Sequence, residues 1–111
     1  MKHTVNVSWL KEMAFEAEVE GHKLYIDAKP DKGGNNTGPT PKPLMLVALA
    51  GCTGMDVVSI LKKMRVEYDS FDIEVEGEMI EDFPKNYKEM KIIYRFKGKD
   101  LPKDKIEKAV N

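Results

Sequence analysis

The stretch LMLVALAGCTGMDVVSIL, Leu44–Leu61, decides how the rest of the chain is read. From Leu44 to Ala50 it is apolar on every side of a helix, which marks a buried segment and not a surface helix with one wet face. Just ahead of it, Thr40 is suited to cap a helix whose first turn tolerates Pro41 and Pro43, because N–H groups lost there have no intrahelical partner. The expected helix runs to about Arg65 and is the central helix of the fold. Its apolar run before Lys62 is about ten to twelve residues, too short to span a membrane. Gly51 and Gly54 flank Cys52, and two glycines so close in a helix are costly unless a break or a close approach requires them. A break at Gly51 would bring Cys52 to the N-terminus of a second half, where free N–H groups and the helix dipole favour a thiolate. A straight helix removes that aid, and Asp56 one turn on opposes it. On the residues alone, Cys52 reads as a small buried apolar group.

Towards the N-terminus the periodicity changes from helical to alternating. His3, Val5, Val7 and Trp9 share one face against Thr4, Asn6 and Ser8, the pattern of a half-buried strand, and Met13, Phe15, Ala17 and Val19 repeat it. Gly21 with His22 makes a turn into a third strand, where Leu24, Ile26 and Ala28 alternate with Tyr25 and Asp27. The opening is therefore a three-strand meander. Residues 29–43 hold three glycines, four prolines and two asparagines, and so form a long loop. That loop lacks the Lys-Ser/Thr of a phosphate loop and the spacing of a dinucleotide fingerprint.

Past the helix, Phe71, Ile73, Val75, Gly77 and Met79 face one way and Asp72, Glu74, Glu76 and Glu78 the other. The next strand puts Met90, Ile92, Tyr94 and Phe96 inside and Lys91, Arg95 and Lys97 outside, so pairing the two sets opposite charges across the ladder. Asp82 to Asn86, with Pro84, is expected to make the connecting turn. Leu101-Pro102 starts a second helix with Ile106, Ala109 and Val110 at helical spacing. It stops after barely two turns, which suggests a shortened version of something longer.

A chain of 111 residues is expected to form one domain, residues 1–111, with a core small enough that a partner subunit would help to cover it. Lys and Arg number 18 against 19 Asp and Glu, and a net charge of -1 gives no field to attract nucleic acid or an anionic membrane. The start lacks the apolar core of a signal peptide, and a lone cysteine suits a reducing compartment, so a cytoplasmic location is expected. Without a secretory signal the Asn35-Asn36-Thr37 sequon carries no weight. His3 and His22 have no cysteine or carboxylate at ligand spacing, so no metal is expected, and Thr53 and Ser59 have no histidine nearby to make them nucleophiles. The seven methionines read as core filling.

Taken together, the strand meander, the loop ending GPTPKP, the helix LMLVALAGCTGMDVVSILKKM and the strand FDIEVEGE resemble the OsmC/Ohr family over nearly the whole chain. The resemblance implies an α+β fold of two intertwined subunits, each central helix against a curved sheet, with the sites at the dimer interface. It also implies thiol-dependent reduction of organic hydroperoxides without a cofactor, in which Cys52 matches the attacking cysteine. The family's second, resolving cysteine has no counterpart in this sequence, so an external thiol is implied as reductant. The chain ends just where the family's late helix would carry that residue.

Two more features depart from the hydroperoxide reductases. Lys42 and Pro43 occupy the region of their glutamate about ten residues before the cysteine. The arginines, Arg65 and Arg95, follow Cys52, and the early strands offer Lys11, Lys23 and Lys29 in place of an arginine clamp. The chain therefore resembles the divergent OsmC-like branch. The leading expectation is reduction of an organic hydroperoxide at Cys52. The alternative is a noncatalytic dimer that binds a small apolar molecule and uses Cys52 for packing.

Overall fold

The computed structural model describes residues 1–80 and 87–111. It is an α+β chain with strands β1 (Asn6–Lys11), β2 (Ala14–Val19) and β3 (His22–Ile26), helix α1 (Pro41–Lys63), strands β4 (Ser70–Met79) and β5 (Tyr87–Lys97), and helix α2 (Lys103–Val110). A single 3-10 turn, Pro30–Lys32, interrupts the long loop. Two compact units divide the chain, residues 1–45 and 46–111. The expected turn from Asp82 to Asn86 lies outside the described residues.

In the first unit β1, β2 and β3 form an antiparallel sheet in that order, the expected meander. The β2–β3 hairpin pairs Val19 with His22, so its loop is Glu20–Gly21, one residue earlier than the sequence suggested. Both loop residues have positive φ, 49° and 81°, the mirror-image turn whose twist matches the strands, and His22 is already strand. The register places Val7, Ala17 and Leu24 in one row and Trp9, Phe15 and Ile26 in the next, a continuous apolar face. The alternation is as expected, but the burial is not. β1 starts at Asn6 and not at His3, all of it is exposed, and Trp9 keeps 64 % of its surface. Alternation identifies which face is apolar, whereas burial needs a second layer above that face.

In the second unit β4 and β5 pair antiparallel from Ser70↔Lys97 to Met79↔Tyr87. Asp72 lies opposite Arg95 and Glu76 opposite Lys91, as the sign alternation required. Arg95 also reaches diagonally to Glu74 at 2.9 Å, and this ion pair holds the Glu74 carboxyl below its usual range. One pair runs against the pattern: Glu78 faces Glu89. On the other face Phe71 stacks on Phe96 at 4.3 Å, and Tyr68 meets Phe96 edge-on at 5.7 Å. These rings, with Tyr94 and Ile106, pack around the buried cluster of Val57, Leu61 and Ala109, which joins α1, the sheet and α2.

Helix α1 begins directly after Thr40 and ends with two interlocked hydrogen bonds. Val66 N–H donates to Leu61 O at 3.0 Å and Arg65 N–H to Lys62 O at 3.1 Å, with Arg65 itself left-handed at φ 58°. This is a Schellman stop built on a non-glycine residue, and Val66 packs back on the Leu61 cluster as the motif prefers.

The Leu44–Ala50 segment departs from expectation, because none of it is buried in the chain and Val47 is 64 % exposed. A short chain with this helix has too few other elements to cover all its sides. The membrane argument from length also fails: α1 has 23 residues and is long and apolar enough to cross a bilayer by length and composition alone. Its lower part, however, carries Asp56 and packs through Val57 and Leu61 on the sheet and α2.

Candidate functional site

Helix α1 passes Gly51 without a break, so Cys52 sits in mid-helix, where the backbone N–H groups are engaged in the helix ladder. The dipole aid that a break would have supplied is absent. Cys52 is exposed, which corrects its reading as a buried packing group within the chain. At 100° per residue it falls on a stripe with Ala48 and Met55, both exposed, and Asp56 follows one turn later. Val57 and Leu61 point the opposite way, into the core.

The two glycines play different parts. A Cβ on Gly54 would lie 2.9 Å from Ile73 Cδ1, so here the missing side chain leaves room for the end of the Ile73 side chain of β4. Gly51 faces open space. The close approach inferred from the sequence is therefore real at one glycine. The other leaves room along the floor of a groove of about 800 Å³ between α1 and β4. Val47, Met55, Val58, Phe71 and Ile73 give this groove an apolar lining, and Ser59 and Lys62 stand on its helix side as the polar groups. Cys52 borders the groove through its neighbour Gly51 and does not itself line it.

His22 opens β3 and His3 precedes β1. Among the described residues no cluster of His, Cys, Asp or Glu could hold a metal ion. Lys23 pairs with Glu16 at 3.2 Å, and that bond raises its pKa. Arg65 serves the helix stop through its backbone, and the Arg95 guanidinium pairs with Glu74.

Sequence reasoning missed Asp27, assigned to the outward set of β3. It is 2 % exposed, and its carboxylate accepts hydrogen bonds from Ala28 N (2.7 Å), Asn35 N (3.1 Å), Thr37 N (3.1 Å) and Thr37 Oγ1 (2.7 Å). These donors, Thr37 foremost, lower its pKa to about 2. The available signal was an aspartate ahead of a loop with Asn35 and Thr37.

The OsmC-like protein family model matches residues 33–111, which include α1, both strands of the second sheet and α2. The chain belongs to the OsmC-like family. Among its relatives is protein YhfA of Escherichia coli, 27 % identical over 106 residues, which span 95 % of this chain and 76 % of YhfA. A hypothetical protein from Aquifex aeolicus has a crystal structure that superposes with a TM-score of 0.85 at 29 % identity, over 99 % of this chain and 76 % of that one. A Legionella pneumophila protein described as an organic hydroperoxide resistance protein OsmC superposes with a TM-score of 0.69 over 99 % of this chain and 80 % of its own. At 14 % identity that last likeness speaks for the fold alone.

Proposed function

We propose that this OsmC-like chain reduces organic hydroperoxides through Cys52, as a cytoplasmic homodimer that draws on an external thiol. The observation that carries the reading is a solvent-exposed thiol bordering an open apolar groove on the central helix. In the reaction the Cys52 thiolate attacks the terminal peroxide oxygen, the O–O bond breaks, and the alkoxide leaves as alcohol after taking up a proton. The sulfur, now a sulfenic acid, condenses with an external thiol to a mixed disulfide and water, and a second thiol restores Cys52. The groove's apolar wall favours an organic peroxide over hydrogen peroxide, which has no apolar part to bury. The Legionella protein's description points the same way, as support by analogy.

The homodimer reading rests on what one chain leaves uncovered: Val7 and Trp9 on the first sheet, and Val47 and Met55 on α1. The same surfaces favour a second reading, in which two copies enclose a small apolar molecule and the chemistry at Cys52 is incidental.

Intact-mass analysis separates the two. Wild type and Cys52→Ser would be treated with limiting cumene hydroperoxide or hydrogen peroxide in the presence of dimedone. Fast labelling confined to the wild type, and faster with the organic peroxide, is expected. Labelling no greater than that of the denatured chain would overturn the peroxidase and leave the binding dimer. Sedimentation velocity at the same concentrations tests for twice the chain mass.

A further inference from the structure

The long loop after β3 gathers its hydrogen bonds around one buried residue, Asp27. In the tight β2–β3 hairpin the facing pairs Val19↔His22, Ala17↔Leu24 and Phe15↔Ile26 direct the even-numbered backbone groups of β3 towards β2. Tyr25 and Asp27 therefore turn their backbone groups to the outer edge of the sheet. Asp27 N–H donates there to Pro39 O at 3.2 Å, and Gly38 lies so close to the Tyr25 carbonyl that a Cβ would overlap it. Gly34 is buried against Ala28 in the same way, and Asn36 N–H donates to Ala28 O at 3.3 Å. Residues 28–39 thus fold back along the end of β3. The Asp27 carboxylate binds the middle of the loop to the end of β3 through Asn35 and Thr37, while the Asn35 side chain also donates to Glu12 between β1 and β2.

We infer that Asp27 is a latch that keeps residues 28–39 over the outer edge of β3, and that this loop guards the edge against pairing with another strand. An uncovered edge is a template for a foreign strand, and a loop laid over it is one of the ways proteins block it. The loop carries a proline-rich and glycine-rich composition with little apolar surface, so it is held by hydrogen bonds, and the carboxylate accepts three of them against the two backbone bonds to Asp27 and Ala28 and the Asn35–Glu12 contact.

Trypsin offers a direct test on the full chain, because Lys32-Gly33 is exposed in the loop and Lys23-Leu24 lies within β3. Two variants separate the latch from folding: Asp27→Asn keeps shape and removes charge, and Thr37→Val removes one hydroxyl donor from an exposed residue. Each is expected to speed cleavage after Lys32 by about tenfold, the weight of one charge-assisted hydrogen bond, with cleavage after Lys23 unchanged. Amide exchange at Asp27, Asn35 and Thr37 should rise in step. Equal acceleration at both lysines would mean that the whole sheet opens, and no acceleration that the loop stands without the carboxylate; either overturns the latch. The edge-guarding role predicts larger assemblies for Asp27→Asn in sedimentation velocity, growing with concentration. An opened loop with wild-type assembly size would overturn that role.

Discussion

Leu61→Ala is the substitution whose cost the structure defines best. Leu61 has 0 % exposure and lies where α1, the aromatic face of β4 and β5, and α2 meet, against Val57 and Ala109. Truncation removes three carbon groups, about 2.4 kcal/mol of transfer free energy at about 0.8 kcal/mol each. The aromatic neighbours are fixed by their own stacking, Phe71 on Phe96 at 4.3 Å, and cannot collapse into the space, so a cavity contribution adds to the loss. The expected total is about 3 to 4 kcal/mol, which lowers Tm by more than about 12 °C for a domain of this size.

Urea unfolding would be followed through Tyr68 and Tyr94, which pack on the Leu61 cluster, and separately through Trp9, the chain's single tryptophan. If residues 1–111 unfold as one cooperative domain, both probes shift together. The exposed neighbour Lys62→Ala serves as control and should stay within about 0.5 kcal/mol. A Leu61→Ala loss under about 1 kcal/mol with an unchanged m-value would refute the packing argument.

Arg65→Gly should stabilise the chain by about 0.5 to 1 kcal/mol, because glycine takes the left-handed stop of α1 without the Cβ strain carried at φ 58°; thermal unfolding at fixed protein concentration reads it. Acid unfolding should show the Asp27 carboxylate at work. Its folded pKa of about 2 lies below the ordinary 3.8, so its contribution is complete above about pH 4 and is lost as the pH falls towards 2. Asp27→Asn should flatten the stability profile across that window, and an acid limb identical to wild type would contradict the assignment.

The second sheet was legible almost residue by residue. Alternation and charge sign in Phe71–Met79 and Met90–Lys97 specify both the inner face and the partner strand, and the observed register follows them. The like-charge pair Glu78↔Glu89 escaped notice because sign matching over the strand as a whole fixes the register even when one pair is unfavourable. Burial was less legible. Leu44–Ala50 is apolar by sequence yet at most half-buried, and the apolar face of β1 is exposed, since pattern states what a face prefers and not whether this chain has an element to place on it. Asp27 shows the reverse error. Its place in an alternating strand reads as solvent-facing, and it is a loop ten residues downstream, donating from Thr37, that buries it.

Cys52 joins these two lessons. Its stripe on α1, with Ala48 and Met55, is apolar and open to solvent, and the straight helix provides no free N–H group to steady a thiolate. The resemblance to the hydroperoxide reductases implies an early arginine and a glutamate, and this sequence offers lysines and Lys42-Pro43 in those regions. Under the proposed function, whatever readies this thiol must come from the surface that covers α1, and in a homodimer that surface is another copy of the same chain. Peroxide reactivity at Cys52 should then fall as the protein is diluted through dimer dissociation, more steeply than the loss of protein alone would give. Activity per chain that is constant across that dilution would place the whole of the reactive environment within one subunit. The groove of Val47, Met55 and Phe71 would then have to suffice by itself.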